Sequence, residues 1–279
     1  MKKIIAAFDG LRYSVSTKDY AIYIAKQTNT HLVGVFMDDP VRTSYNIYEL
    51  IVKEGASGDQ LKKHQAKDKI TRAAAAKKFE TACKRSGLEY TVHHNRNVAI
   101  QELKHESIYA DLLIINSKET LTRYIEKLPT GFVRDLLGDA QCPVLIVPEQ
   151  YKSIQKIILL YDGEPSSVYA IKIFSYLLPQ LKHMDTEVLS VNPVDSTLQL
   201  PDNKLMQEFM KRHYPNATYT IMKGNAEDEI VKYLEKSNQN SLVVLGAYRR
   251  STVSRWFRES MADILMKEVK LPLFIAHNK

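Results

Sequence analysis

Cysteine is nearly absent from this chain: Cys83 and Cys142 are the only two in 279 residues, and they lie far apart. Two such thiols supply neither a disulfide framework nor the paired spacing of a zinc site, and they fit a reducing cytoplasm. Long apolar runs are missing too. The opening stretch, MKKIIAAFDG, reaches Asp9 after a short apolar run, too short for a signal peptide or a membrane span. The net charge of +7 is spread over both halves, with no basic tail. No Gly-x-Ser-x-Gly elbow and no Gly-x4-Gly-Lys-Ser/Thr loop occurs, which leaves the common serine-hydrolase and P-loop chemistries without their parts. His93 and His94 are adjacent on a predicted strand, where neighbours face opposite sides, so they do not chelate one metal. The other histidines lack ligand spacing, and no metal site is predicted.

One charge cluster stands out. Lys62, Lys63, Lys67, Lys69, Arg72, Lys77, Lys78, Lys84 and Arg85 share one helical segment. No aromatic residues interleave with them, as base stacking would want, so a solvated helix face is favoured over a nucleic-acid surface.

What the chain does contain is an internal repeat. KKIIAAFDG (2–10) resembles QKIILLYDG (155–163), DLLIINS (111–117) resembles SLVVLGA (241–247), and QCPVLIVPE (141–149) resembles KLPLFIAHN (270–278). Short apolar runs bounded by turn signals read as buried parallel strands. Between them lie helical patterns such as Ala170, Ile173, Phe174, Leu177, Leu178 and Leu181, one face of a helix. Strands are expected near 3–8, 31–36, 89–94, 111–116 and 143–147, and again near 156–161, 185–191, 217–222, 241–246 and 272–276. Alternation of this kind predicts parallel sheets covered on both faces. The domains are read as 1–148 and 154–279, joined by a short linker. The first repeat is longer, and its surplus falls between its second and third strands. That segment, 38–58, carries Tyr45, Ile47, Tyr48, Leu50 and Ile51. Packing against its own domain is favoured over a lid or a partner-docking hairpin, because those apolar residues must be covered.

In open parallel sheets, ligands bind beyond the carboxyl ends of strands, where the strand order reverses. For an order of 3-2-1-4-5 that point lies between strands one and four, bounded by Asp9 and Asn116 in the first half and by Asp162 and Gly246 in the second. Asp9 and Asp162 have two readings: turn or cap residues, or ligand contacts.

The strand-one Asp-Gly, the apolar fourth strand and the closing Pro-Val or Pro-Leu strand resemble the universal stress protein family, twice over and across nearly the whole chain. The resemblance implies two Rossmann-like (adenine nucleotide alpha hydrolase-like) α/β domains, each a five-stranded parallel sheet of order 3-2-1-4-5 flanked by helices. The nucleotide-binding branch of that family carries Gly-x2-Gly-x9-Gly-Ser/Thr after strand four, with the strand-one Asp close to bound ATP. In the second half, Gly246 matches the first glycine, Arg249 and Glu259 replace the next two, and Ser260 matches the hydroxyl position. In the first half the same count meets Asn116, Glu119, Pro129 and Thr130, so only the hydroxyl survives. A Glu beside a triphosphate repels it, and the first half reads as a deficient ATP site.

The second-half loop, GAYRRSTVSRWFRES, places Arg249, Arg250, Arg255 and Arg258 around the expected phosphates. Guanidinium forks could replace the lost backbone contacts, or they could face solvent or an acidic partner. DGLRYS and DGEPSS both depart from the Ser-Gly-Gly-x-Asp-Ser loop of the related ATP pyrophosphatases. The expectation is therefore a cytoplasmic stress-response module that binds or senses. ATP is its candidate cofactor in the second domain, and the candidate ligand residues are Asp162, Gly246, Arg249, Arg250, Ser260, Asp9 and Thr130. No catalytic residue is assigned. A slow ATPase or nucleotide-dependent enzyme at the second site is the alternative, and a protein-partner scaffold the next. The two domains are expected to form an internal pseudo-dimer, with a further homodimer left open.

Overall fold

The computed structural model describes residues 1–38, 42–46, 48–53, 57–95, 97–237, 240–246 and 260–276. The chain divides into two compact units, Lys2–Gln141 and Cys142–Lys279 with Met1.

In the first unit, β1 (Lys3–Phe8), β2 (His31–Met37), β3 (Tyr90–Asn95) and β4 (Leu112–Asn116) lie in the order β3-β2-β1-β4, all parallel. The helices are α1 (Val15–Thr28), α2 (Gly58–Arg85), α3 (Ala99–Ser107) and α4 (Gly131–Asp139). Local chemistry marks their ends. Ser14 caps α1 by accepting from the Thr17 N–H, and Asn29 closes it in the left-handed region. Ser57 and Gln60 form a reciprocal capping box at α2, which satisfies two otherwise orphaned N–H groups. Phe8, Phe36 and Phe79, all fully buried, pack between sheet and α2 with ring centroids 5.1–6.1 Å apart. Gly34 makes room for this: a Cβ there would stand 2.6 Å from the Phe79 ring.

The second unit runs β5 (Val144–Val147), β6 (Lys156–Leu160), α5 (Pro165–Leu177), β7 (Asp185–Asn192), α6 (Asn203–His213), β8 (Thr218–Lys223), α7 (Ala226–Lys236), β9 (Ser241–Gly246), α8 (Met261–Glu268) and β10 (Leu273–Ala276). Strands β10-β9-β6-β7-β8 are parallel neighbours, the anticipated 5-4-1-2-3 arrangement. The strand read from sequence as the fifth of the first domain, β5, is grouped with this unit, antiparallel to β10, with Leu145 opposite Phe274. Both strands are wholly buried and apolar, and pairing covers an edge that would otherwise template aggregation.

The strands fall within a residue or two of their expected positions. The segment between β2 and β3 is where the halves diverge most. Its helix α2 has 28 residues, against 11 in its counterpart α6. Tyr45 and Leu50 are buried while Tyr48, Ile51 and Val52 are exposed, and Ile47 lies outside the described residues, so the described part of the segment packs on its own domain with one side only. Among the described residues, no helix is long and apolar enough to cross a membrane.

Candidate functional site

In the second unit, β6 has β9 on one side and β7 on the other, so the chain direction of the crossovers reverses at β6 and a crevice opens beyond its end. A cavity of about 120 Å³ lies there. Leu160, Tyr161 and Asp162 at the end of β6, Leu189 and Val191 of β7, and Leu245 and Gly246 of β9 form its floor. Ser167 of α5, Ala226 and Ile230 of α7, and Met261 of α8 complete it. Three helices thus begin around one cavity, and helix starts present N–H groups and a partial positive charge.

Asp162 is held for this position. Its Oδ1 accepts from the Glu164 N–H at 2.9 Å and from the Ser167 hydroxyl at 2.7 Å. The carboxylate is exposed, and among the described residues its Oδ2 has no partner. Gly163 adopts φ +82°, and a Cβ there would meet Pro201 at 2.6 Å, so the turn needs glycine. Gly246 is needed for a different reason. A Cβ on it would collide with the Ser166 carbonyl and come 2.8 Å from the Ser167 nitrogen. β9 can approach the first turn of α5 only without a side chain. Ser260 caps α8, its hydroxyl accepting from the Asp263 N–H at 3.2 Å. Arg249 and Arg250, with the rest of 247–259, lie outside the described residues.

The same place in the first unit is filled. Asp9, 1% exposed, accepts at Oδ2 from Arg42 Nε at 3.0 Å and Arg42 Nη2 at 2.8 Å. Its Oδ1 accepts from the Leu11 N–H at 2.8 Å. Asn116 stands where the second unit has Gly246, and its amide donates to the Ser14 hydroxyl at 3.3 Å. Glu119 is buried beside Asp9 and accepts from the Thr120 and Leu121 N–H groups, each at 3.1 Å. Burial, followed by the charge of Asp9, pushes its carboxyl up to about 7. Thr130 donates to the Glu119 carbonyl at 2.5 Å and caps α4 at Val133. Of the candidates, Asp162 and Gly246 meet in one cavity, Ser260 stands at its border, and Asp9 and Thr130 are spent on internal partners.

Ser167 and Arg42 were not singled out from the sequence. Ser167 could have been found from its helical reach back to Asp162 in DGEPSS. Arg42 lay in the extra segment, but nothing in its neighbours indicates that it turns inward. His93 and His94 bind separately, to Glu106 at 2.6 Å and Asp38 at 3.2 Å. Among the described residues no metal-ligand group of three occurs. Cys83 is fully buried, and burial pushes its thiol up to about 12, which leaves it protonated and unreactive.

Fold and site together define a tandem α/β protein with a ligand crevice beyond the carboxyl end of a parallel sheet. No family model matches the chain. A universal stress protein of Synechocystis sp. (strain PCC 6803) is 20% identical over 288 aligned residues, covering 98% of this chain and 99% of that one. A universal stress protein from Archaeoglobus fulgidus has the same fold, with a TM-score of 0.70 at 13% identity over 99% of this chain and 98% of its own. A functionally unknown protein from Pseudomonas aeruginosa PAO1 aligns with a TM-score of 0.64 at 13% identity, covering 99% of this chain and 92% of that one. The resemblance read from the repeats is borne out: a relative matched over nearly its whole length is a universal stress protein, and a universal stress protein shares the fold of the whole chain.

Proposed function

We propose that this is a cytoplasmic binding and regulatory protein of universal stress type that takes one adenine nucleotide, ATP, in its second domain. The observation that carries the reading is the cavity at the β6 switch point. Its walls are apolar on the sides formed by Leu189, Val191, Ile230, Leu245 and Met261. At about 120 Å³ it is of the order of the ~150 Å³ interior cavities that admit one aromatic ring, so it suits a base rather than a whole nucleotide. Asp162 Oδ2 can accept from a ribose hydroxyl or an exocyclic amine. The starts of α5 and α8 supply N–H groups and dipole charge for phosphates outside the cavity. The first domain offers no equivalent, because Arg42 and Glu119 occupy the position.

Titration calorimetry of the nucleotide-stripped protein with ATP and Mg²⁺ tests this. The expected result is saturable binding at one ATP per chain. Asp162→Ala should weaken it tenfold or more, the size of one hydrogen bond to a charged group (about 1.5–3 kcal/mol). Absence of heat and of thermal stabilisation would discard the nucleotide and favour a protein-partner scaffold. Steady phosphate release lost in Asp162→Ala would replace the binding reading with an enzyme.

A further inference from the structure

The place beyond β1 in the first domain is taken up by side chains, among them two guanidinium groups, those of Arg42 and Arg72. Arg42 reaches Asp9 at the end of β1 through two hydrogen bonds to one carboxylate oxygen. Both residues are almost wholly buried, Arg42 at 7% and Asp9 at 1% exposure. Arg72 of α2 pairs with Asp38, just past β2, at 3.4 Å. Its stem lies so near the Asp9–Gly10 turn that a Cβ on Gly10 would stand 2.9 Å from Arg72 Cγ. The two arginines are also tied to each other, Arg72 Nη2 donating to the Arg42 carbonyl at 2.6 Å.

Behind them the segment is a small structure of its own. Ser44 bonds to the buried Asp68 through both its N–H (2.9 Å) and its hydroxyl. Tyr45 packs on His64 with ring centroids 5.0 Å apart. These ties run to the first half of α2, where Asp68 is the one buried residue between 58 and 71. The segment is therefore built onto α2 and fastened to the sheet by charge, with both cations on the α2 side and both carboxylates at strand ends.

We propose that the described parts of 42–72 form an intramolecular lid and that Arg42 is the resident ligand of the first-domain pocket, which has become a guanidinium site closed by the chain itself. Glu119, beside Asp9, takes its hydrogen bonds from the Thr120 and Leu121 N–H groups and leaves Asp9 Oδ2 to Arg42. The planar fork of Arg explains the choice, since one flat group with several donors can span a buried carboxylate and a backbone carbonyl together: Arg42 Nη1 also donates to the Thr43 carbonyl at 2.7 Å. This inference stands on the first domain alone and is independent of nucleotide binding in the second.

Chemical rescue tests it in the full chain. Hydrogen exchange and thermal unfolding are followed for wild type, Arg42→Ala and the double variant Arg42→Ala/Asp9→Asn. Methylguanidinium is added at millimolar concentration, far below the denaturing range, against sodium chloride of equal ionic strength. Arg42→Ala should speed exchange across 42–46, 48–53 and the first half of α2 by about tenfold or more, with β6–β10 unchanged. Methylguanidinium should restore protection in Arg42→Ala and do nothing for the double variant. Wild-type exchange in Arg42→Ala, or rescue no greater than that by sodium chloride, would overturn the proposal. If Arg42→Ala does not fold, Arg42→Lys decides: a point ammonium cannot span both partners, so exchange at 42–46 and 48–53 must rise, and unchanged exchange would overturn the lid.

Discussion

Glu119 shows how one residue can reverse the character of a site. Its carboxyl rises from 4.5 to about 7 because burial opposes its charge and Asp9 repels it, against the pull of the Leu121, Thr120 and Asp9 N–H groups. The folded protein therefore holds this proton more tightly than the unfolded chain does. That stabilisation is full below about 4.5 and is lost as pH rises through about 7. Glu119→Gln keeps an acceptor for the N–H groups without the charge. It should be more stable than wild type above pH 7, by an amount on the order of 3 kcal/mol that vanishes towards pH 4.5. Denaturant titrations at several pH values check this, and a pH-independent difference would mean that folding does not shift the Glu119 carboxyl. Gly246 illustrates a steric role. Gly246→Ala should cost ~1–3 kcal/mol by pushing α5 from β9, and should weaken ATP binding with it, as calorimetry would record. Gly246 and Glu119 were both legible as matches and mismatches to a glycine pattern. The partnership of Asp9 with Arg42 was not, because a separation of 33 positions carries no periodic signal of who meets whom.

Among the elements, α2 carries the largest departure from the repeat. Its second half is ordinary: Ala75, Ala76, Phe79 and Cys83 are buried at helical spacing, and Phe79 fills the space left by Gly34. Phe79→Ala should cost ~3–5 kcal/mol, and Gly34→Ala should also destabilise, since its Cβ competes for the same volume. Thermal unfolding of both variants and their combination checks the coupling: the double variant should lose less than the two single losses together. The lysines of the first half of α2 are exposed, as a charged helix face was expected to be. The sequence reading also expected the extra segment to pack on its own domain, and its described residues do, though with Tyr48, Ile51 and Val52 left outside. Periodicity could show that an apolar stripe must be covered; it could not show that the covering would be partial, or that an arginine would enter with it.

At the scale of the whole molecule, the two units share one pattern of strands and differ in what stands beyond the end of the first strand of each repeat. The second keeps a crevice, while the first has sealed its own. β5 adds a boundary effect. Leu273, Phe274 and Ile275 of β10 lie against Ile146, Leu145 and Val144, so the second unit needs residues that precede its first repeat motif. A full chain carrying Leu145→Asp, which sets a charge opposite Phe274, should associate or precipitate at concentrations where wild type does not. Size-exclusion chromatography of the two, matched for concentration, distinguishes them.

The amino-acid sequence alone determined the class of fold, the repeat, the positions of the strands and the point in each half where a ligand would be sought. These follow from local quantities: apolar run length, helical period, and turn and cap residues, each readable within a few positions. Only the tertiary structure decided that one site is open and the other occupied. That outcome rests on a carboxylate, a guanidinium and a second carboxyl brought from three distant segments into one buried place. There the cost of an unpaired charge, rather than any local preference, selects the partner.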